Sequence, residues 1–178
     1  VCVFTADGFE EVEGLTVVDL LRRAGEEVLM VSISDNLSVT GSHGIEIKAD
    51  VFFDDVDYST VDLLVLPGGM PGTVHLGEHQ GLAELLQSFS ALDRKVAAIC
   101  AAPSILGGLG ILKNKKAACY PGFEEKLEGA QVFTDPVVKD GNITTSRGVG
   151  TAISFALELI SQLEGEVKAR QIKKSIVS

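Results

Sequence analysis

The chain alternates short apolar runs with amphipathic stretches along nearly its whole length, and this alternation constrains the fold more than any other feature. Short, continuous apolar runs bounded by turn residues are typical of strands that are buried on both faces. We expect strands at residues 1–5, 28–33, 61–66, 96–99, 116–120 and 143–146. Apolar residues at helical spacing precede Gly25 and recur in residues 82–89, 103–109 and 151–165.

Helices of this length between strands indicate crossover connections, which join parallel strands. The expected fold class is therefore α/β, with a mostly parallel central sheet and helices on both faces. Residues 38–53 alternate apolar and polar side chains around Gly41 and Gly44, which predicts a hairpin or an edge excursion. No linker or repeat divides the chain, so we expect residues 1–178 to form a single domain.

Charge and cysteine content exclude several classes of protein. The formal net charge of −10 argues against nucleic acid and against an anionic membrane surface as partners. No apolar run approaches the length of about 18 residues that a transmembrane helix needs. Three widely spaced cysteines form neither a disulfide framework nor a metal knuckle, so we expect a reducing, cytoplasmic location.

The most informative short motif surrounds Cys100. In open parallel sheets, ligands bind beyond the carboxyl ends of the strands, and residues 98–102, Ala-Ile-Cys-Ala-Ala, follow the fourth expected strand. Small residues two positions away on each side are typical of a nucleophile elbow, a strained strand-to-helix turn. The following helix would direct its N-terminal N–H groups at the sulfur and lower the thiol pKa. The alternative is a small, buried, inert cysteine.

Glu13 is the candidate partner of Cys100, because it follows the first expected strand. A protonated Glu13 would donate a hydrogen bond that favours the thiolate, whereas an ionised Glu13 would raise the thiol pKa by repulsion. The two groups would then titrate as a coupled pair. The alternative is that Glu10, Glu11 and Glu13 merely favour a helix N-terminus, and for Glu10 and Glu11 we prefer that interpretation.

Two glycines follow the third expected strand. Gly68 and Gly69 lack a Cβ, so their backbone can approach a ligand closely. With the amide of Ala101, a backbone N–H of this Gly68-Gly69 turn would form an oxyanion hole. The alternative is a plain turn after a strand, and no phosphate-binding loop is present because no Gly-Lys-Ser/Thr follows.

The histidines exclude one class of enzyme. His43, His75 and His79 are the only ones, and all precede Cys100, so this chain does not contain the downstream histidine of a glutamine amidotransferase triad. His75 and His79 would face a common metal only if they were helical, and Gly72 and Gly77 favour a loop there. We therefore expect no metal site.

Five segments together resemble the ThiJ/PfpI superfamily in its DJ-one-like branch. They are Glu-Glu-Val-Glu (10–13), Leu-Arg-Arg-Ala-Gly (21–25), Leu-Pro-Gly-Gly (66–69), Ala-Ala-Ile-Cys-Ala-Ala-Pro (97–103) and Thr-Ser-Arg-Gly-Val-Gly-Thr (145–151). The resemblance implies a flavodoxin-like three-layer sandwich, usually a homodimer. It also implies Cys100 as the oxidisable nucleophile, Glu13 as its protonated partner, and Gly69 and Ala101 as oxyanion-hole amides.

Several positions depart from the family pattern. Protease-like members have a histidine directly after the cysteine, and Ala101 in that place disfavours a peptidase. Tyr120 stands where the DJ-one branch often has a histidine, and a phenol exchanges protons less readily than an imidazole at neutral pH. His43 replaces an arginine found near the dimer interface of some members. Arg23 matches a family arginine, and the resemblance implies that Arg23, with Gly68, Tyr120 and His43, belongs to the pocket.

We consider three hypotheses for function, of which the resemblance implies the first two. The first is a thiol enzyme without metal or cofactor, with glyoxalase or deglycase action on reactive dicarbonyls or on their adducts with protein side chains. The second is a redox sensor or chaperone in which Cys100 is oxidised and turnover is inefficient. The third is a buried, unreactive thiol.

Overall fold

The computed structural model describes residues 1–178 and is built around a central sheet of seven strands. The eleven strands of the chain are β1 (Cys2–Thr5), β2 (Leu29–Ser32), β3 (Ser38–Thr40), β4 (Glu46–Lys48), β5 (Val51–Phe52), β6 (Leu63–Leu66), β7 (Lys95–Ile99), β8 (Lys116–Ala117), β9 (Gln131–Val132), β10 (Val137–Asp140) and β11 (Ile143–Ser146). The central sheet has the order β10-β11-β7-β6-β1-β2-β5. All neighbours in it are parallel except β10 and β11.

Helices cover both faces of this sheet. They are α1 (Glu11–Ala24), α2 (Gly72–Glu78), α3 (Gln80–Ala91), α4 (Pro103–Gly108), α5 (Ala152–Glu164) and α6 (Glu166–Ser175). One apolar core lies between the sheet and α2, α3 and α4, and a second lies between the sheet and α1, α5 and α6. Strands β1, β6 and β7 supply side chains to both cores, which explains why their sequences are continuously apolar. The predicted three-layer flavodoxin-like sandwich is confirmed.

The expected hairpin at residues 38–53 is only part of what forms there. Strands β3 and β4 pair antiparallel outside the central sheet, but Val51 and Phe52 leave the hairpin and extend the edge of the central sheet beside β2. The strand expected at 116–120 is also shorter, because only Lys116–Ala117 is extended and it pairs with β9 rather than with the central sheet.

Two helices depart from the sequence analysis. Residues 72–78, expected as a loop, form α2, whose Leu76 is fully buried in the core. The first residue of that helix, Gly72, has to be glycine, because a Cβ at this position would lie only 2.7 Å from the Cα of Phe9. The polar C-terminal segment forms α6, which buries only Ala169 and Ile172. None of the helices combines the length and the apolar character that crossing a bilayer requires.

The first helix positions the candidate site. Helix α1 ends at Gly25 as predicted, since Gly25 has a φ of 97° and donates its N–H to the carbonyl of Arg22. Its N-terminal end lies at the carboxyl edge of the sheet, where the N–H of Glu10 donates to the carbonyl of Gly68 at 2.8 Å. This contact brings the turn after β1 against the turn after β6.

Candidate active site

Cys100 lies directly after β7 in a left-handed backbone conformation with a φ of 66°. Its N–H donates to the carbonyl of Ser146 at 3.0 Å, and its carbonyl accepts from the N–H of Tyr120 at 2.8 Å. Ala98 and Ala102, two positions away on either side, are fully buried, so larger side chains would have no room. The backbone is therefore the strained elbow that the motif predicts, and Cys100 is only partly buried.

Glu13 reaches Cys100 from the first turn of α1, and its side chain is inaccessible to solvent. One carboxyl oxygen, Oε2, accepts the N–H of Gly68 at 2.9 Å, and a Cβ at Gly68 would lie within 3 Å of both this oxygen and the Cys100 Cβ. The other oxygen, Oε1, is buried without a partner. Burial raises the pKa of Glu13 to about 7, with a further contribution from the charge of Glu10, and the hydrogen bonds from Gly68 and Cys100 oppose this rise.

Opposing influences act on the pKa of the Cys100 thiol. Burial raises the pKa of Cys100, and the charge of an ionised Glu13 and the hydrogen bond to it raise it further, whereas the amides of Ala101 and Gly69 lower it. The net effect raises the pKa of the Cys100 thiol to about 12, so the lowering predicted from the helix N-terminus is wrong. Since Glu13 retains its proton up to about pH 7, the repulsion is absent below that pH. Because each group shifts the pKa of the other, we expect the thiol and the carboxyl group to titrate as a pair.

Two backbone amides face the sulfur. The backbone N–H groups of Gly69 and Ala101 lower the pKa of the Cys100 thiol, so they act where negative charge resides or develops. Gly69 has a φ of 91°, and a Cβ there would collide with the backbone of Phe9 and Glu10. The conformation that directs this amide at the sulfur therefore requires glycine.

Tyr120 and Gly148 border the sulfur on its exposed side. The Tyr120 ring is half-exposed, and a Cβ at Gly148 would lie 3.2 Å from that ring and 3.9 Å from the Cys100 sulfur. The sequence analysis did not single out Gly148, although it lies in the family motif at 145–151. Its absent side chain keeps access to the sulfur open.

Over residues 1–162, the chain matches the DJ-1/PfpI family. It belongs to that family. Protein DJ-1 homolog B of Arabidopsis thaliana is 38% identical over 99% of this chain, which spans only 41% of the length of that relative. A deglycase of Pyrococcus abyssi is 34% identical over 92% of this chain and 99% of its own length.

Two further comparisons bear on the site. The glutathione-independent glyoxalase DJR-1.2 of Caenorhabditis elegans is 34% identical and covers 94% of this chain and 89% of its own length. The solved structure of oxidized Toxoplasma gondii DJ-1 superimposes with a TM-score of 0.95 at 35% identity and covers 99% of this chain and 96% of its own.

Two residues expected in the pocket from the family resemblance lie elsewhere within this chain. Arg23 stands ten residues after Glu13 on α1, about 15 Å along the helix axis, and pairs with Asp19 at 2.6 Å. The expectation that Arg23 lies near the sulfur is therefore wrong for a single chain. His43 contacts Glu10 and Glu11 rather than Cys100.

The other two histidines form hydrogen bonds with backbone groups. His75 Nδ1 hydrogen-bonds the carbonyl of Asp7 at 2.8 Å, and His79 Nδ1 accepts the N–H of Leu82 at the start of α3 at 3.0 Å. They do not converge on a shared site, although α2 is helical.

Replacing Gly68 by alanine is expected to slow alkylation of Cys100 by iodoacetamide at least about tenfold, because small displacements of reacting groups are costly. The added Cβ would lie 2.6 Å from the Cys100 Cβ and 2.8 Å from Glu13 Oε2, so thiol and carboxyl group have to separate. Gly150→Ala is the matched control, since no atom lies within 4 Å of a Cβ there. Equal rates for Gly68→Ala and wild type would show that the close packing does not matter.

Proposed function

We propose that this protein is a thiol enzyme that acts on reactive α-oxoaldehydes, or on their adducts with protein side chains, with Cys100 as the nucleophile. The observation that carries the proposal is the convergence of a strained cysteine, a fully buried carboxyl group and two backbone amides on one partly exposed sulfur. This is the set of groups that nucleophilic attack on a carbonyl requires.

The proposed reaction begins when the Cys100 thiolate attacks the aldehyde carbon of methylglyoxal and forms a hemithioacetal. The amides of Gly69 and Ala101 stabilise the oxyanion, and Glu13 gives it a proton. Moving the hydrogen from the former aldehyde carbon to the neighbouring carbonyl carbon then oxidises the first and reduces the second. Water hydrolyses the resulting thioester, which frees Cys100 and yields lactate, so the net change is addition of one water molecule.

Two relatives support this assignment. The deglycase of Pyrococcus abyssi and the glyoxalase of Caenorhabditis elegans carry names for the two versions of this chemistry, on adducts and on free dicarbonyls. In this chain Tyr120 borders the sulfur where a histidine would be the better proton carrier, so we expect slower turnover than histidine would allow.

The test is to incubate the purified protein with methylglyoxal, without glutathione, and to quantify lactate. We expect lactate to form catalytically, in excess over protein. Adducts of methylglyoxal with N-acetyl-arginine or N-acetyl-cysteine, offered separately, decide between free dicarbonyl and adduct as the substrate. Absence of turnover above buffer on all of these substrates would contradict the proposal.

The second candidate is a redox sensor or chaperone, and it is favoured by the amides of Gly69 and Ala101, which would also stabilise an oxidised sulfur. Oxidation to a sulfinate adds two oxygen atoms from peroxide to Cys100. Intact mass and peptide mapping after mild peroxide treatment identify it. Oxidation confined to Cys100 without dicarbonyl turnover would support the sensor and displace the enzyme. In either function we propose a cytoplasmic homodimer.

A further inference from the structure

A second cluster of functional side chains lies beside the cysteine site, at the point where the β3–β4 turn packs on the N-terminus of α1. It consists of Glu10, Glu11, Ser42 and His43. None of them contacts the Cys100 sulfur. The sequence analysis assigned Glu10 and Glu11 to the helix N-terminus and His43 to the pocket, so this grouping was not anticipated.

Five of the six distances between the four donor atoms lie between 3.0 and 3.4 Å. Ser42 Oγ lies 3.4 Å from Glu10 Oε2, 3.4 Å from Glu11 Oε2 and 3.1 Å from His43 Nδ1. His43 Nδ1 lies 3.4 Å from Glu10 Oε2 and 3.0 Å from Glu11 Oε2. The remaining edge, between the glutamate oxygens, is no longer than 4.8 Å. Zinc with donor distances of about 2.0–2.1 Å has tetrahedral edges of about 3.3–3.4 Å, so the spacing fits.

The charge of the cluster also favours a cation. The side chains of Glu10 and Glu11 are only 11% and 3% exposed, and His43 is the only basic residue that pairs with either of them. Two neighbouring carboxylates withdrawn from water are costly unless positive charge compensates them. A single imidazole supplies at most one charge, whereas a divalent ion would balance both.

The ligands are held in place before any ion binds. Glu11 uses its other oxygen, Oε1, to accept the backbone N–H groups of His43 at 2.8 Å and Ile45 at 3.3 Å. The N–H of Ser42 donates to the carbonyl of Phe9 at 2.8 Å. Gly41 packs directly on the Glu11 carboxyl group, and any Cβ there would collide with it. Such supporting contacts orient metal ligands and strengthen binding.

We propose that Glu10 Oε2, Glu11 Oε2 and His43 Nδ1 bind one Zn²⁺, with the Ser42 hydroxyl at the fourth corner. A nitrogen among oxygen donors in a tetrahedral arrangement selects zinc or a similar first-row divalent ion. Ca²⁺ takes six to eight oxygen ligands and Mg²⁺ takes an octahedron, so neither suits this cluster. The site goes beyond the proposed enzyme function and does not depend on it.

The test measures Zn²⁺ binding to the full chain, stripped with a chelator, by calorimetry and by competition with a chromophoric chelator. Because a thiolate is a strong zinc ligand, every measurement is repeated in a Cys100→Ser background. We expect one Zn²⁺ per chain in both backgrounds, with preference over Ca²⁺ and Mg²⁺. His43→Ala and Glu10→Gln should each weaken binding at least about tenfold. Co²⁺ should give the intense visible absorption of a tetrahedral site.

The matched control is His75→Ala, which removes a histidine outside the cluster and should leave the affinity within about twofold of the parent. Melting curves of the stripped variants establish that each one folds. Undiminished Zn²⁺ affinity in His43→Ala would overturn the proposal. So would loss of the ion in Cys100→Ser alone, equal weakening by His75→Ala, preference for Ca²⁺, or absence of binding to the wild type.

Discussion

Replacing Cys100 by serine is expected to lower kcat/KM for methylglyoxal at least about 1,000-fold, because hydroxyl oxygen is a far weaker nucleophile than thiolate. Serine differs from cysteine by one atom, so the elbow, the amides of Gly69 and Ala101, and the contact with Glu13 should persist. Lactate production over a range of substrate concentrations gives kcat and KM, and circular dichroism shows whether the variant is folded.

The matched control for this prediction is Cys119→Ala, which removes another thiol close in sequence to Tyr120. Cys119 is buried, whereas Cys100 is partly exposed, so substrate has less access to the Cys119 thiol. We expect its variant to keep kcat/KM within about threefold of wild type. A Cys100→Ser protein that keeps a tenth of the wild-type activity, or an equal loss in Cys119→Ala, would remove Cys100 from the mechanism.

Replacing Glu13 by glutamine is expected to lower kcat/KM at least about 100-fold, which is the usual contribution of a positioned acid or base. Glutamine keeps the shape and still accepts the N–H of Gly68, but it has no proton to give. In the wild type, Glu13 loses its proton near pH 7 and its charge then raises the pKa of the Cys100 thiol, so the alkylation rate of Cys100 should rise only at alkaline pH. In Glu13→Gln the rise should shift to lower pH, because the neutral amide lacks the charge that opposes the thiolate.

The same substitution should stabilise the protein at alkaline pH. The folded state holds the Glu13 proton up to about pH 7, whereas the unfolded chain releases it near pH 4.5. The wild type therefore loses stability as pH rises between these values, and Glu13→Gln does not. Above pH 7, we expect the variant to have a free energy of unfolding higher by up to about 3 kcal/mol, with no such gain below pH 4.5.

Urea unfolding of both proteins at pH 4, 6 and 8 checks this dependence. A Glu13→Gln variant with less stability than wild type at pH 8 would show that folding does not raise the pKa of Glu13. That result would require a different role for the carboxyl group from proton donation. Higher stability with lower activity is the pattern expected of a residue kept for function.

Much of the fold was predictable because the signals are local. The strands that form β1, β6 and β7 are short apolar runs, and a strand buried on both faces needs no other pattern. The end of α1 followed from Gly25, since a left-handed residue that closes a helix favours glycine. The elbow at Cys100 followed from the small residues on either side of it. Each of these features is determined within a few residues of sequence.

The errors occurred where tertiary contacts override local preference. Glycines in residues 72–78 argued for a loop, but burial of Leu76 and the tight contact of Gly72 with Phe9 hold a helix there. Helix α6 is mostly polar, so its sequence carries little helical signal. It forms where it packs on α5 and buries Ala169 and Ile172. Arg23 was placed near the sulfur by resemblance alone, yet the length of α1 puts it at the opposite end from Glu13.

The sequence by itself determined the class of fold and the position of the cysteine, because hydrophobic period and turn chemistry act over short stretches of chain. Only the tertiary structure decided which groups surround that cysteine. Glu13 and Gly68 are 55 residues apart, and Glu11 and His43 are 32 apart, yet both pairs are hydrogen-bonded. Such pairs depend on how strands are ordered in the sheet, which no local pattern specifies. The burial that raises the pKa of Glu13 likewise exists only once the layers have packed.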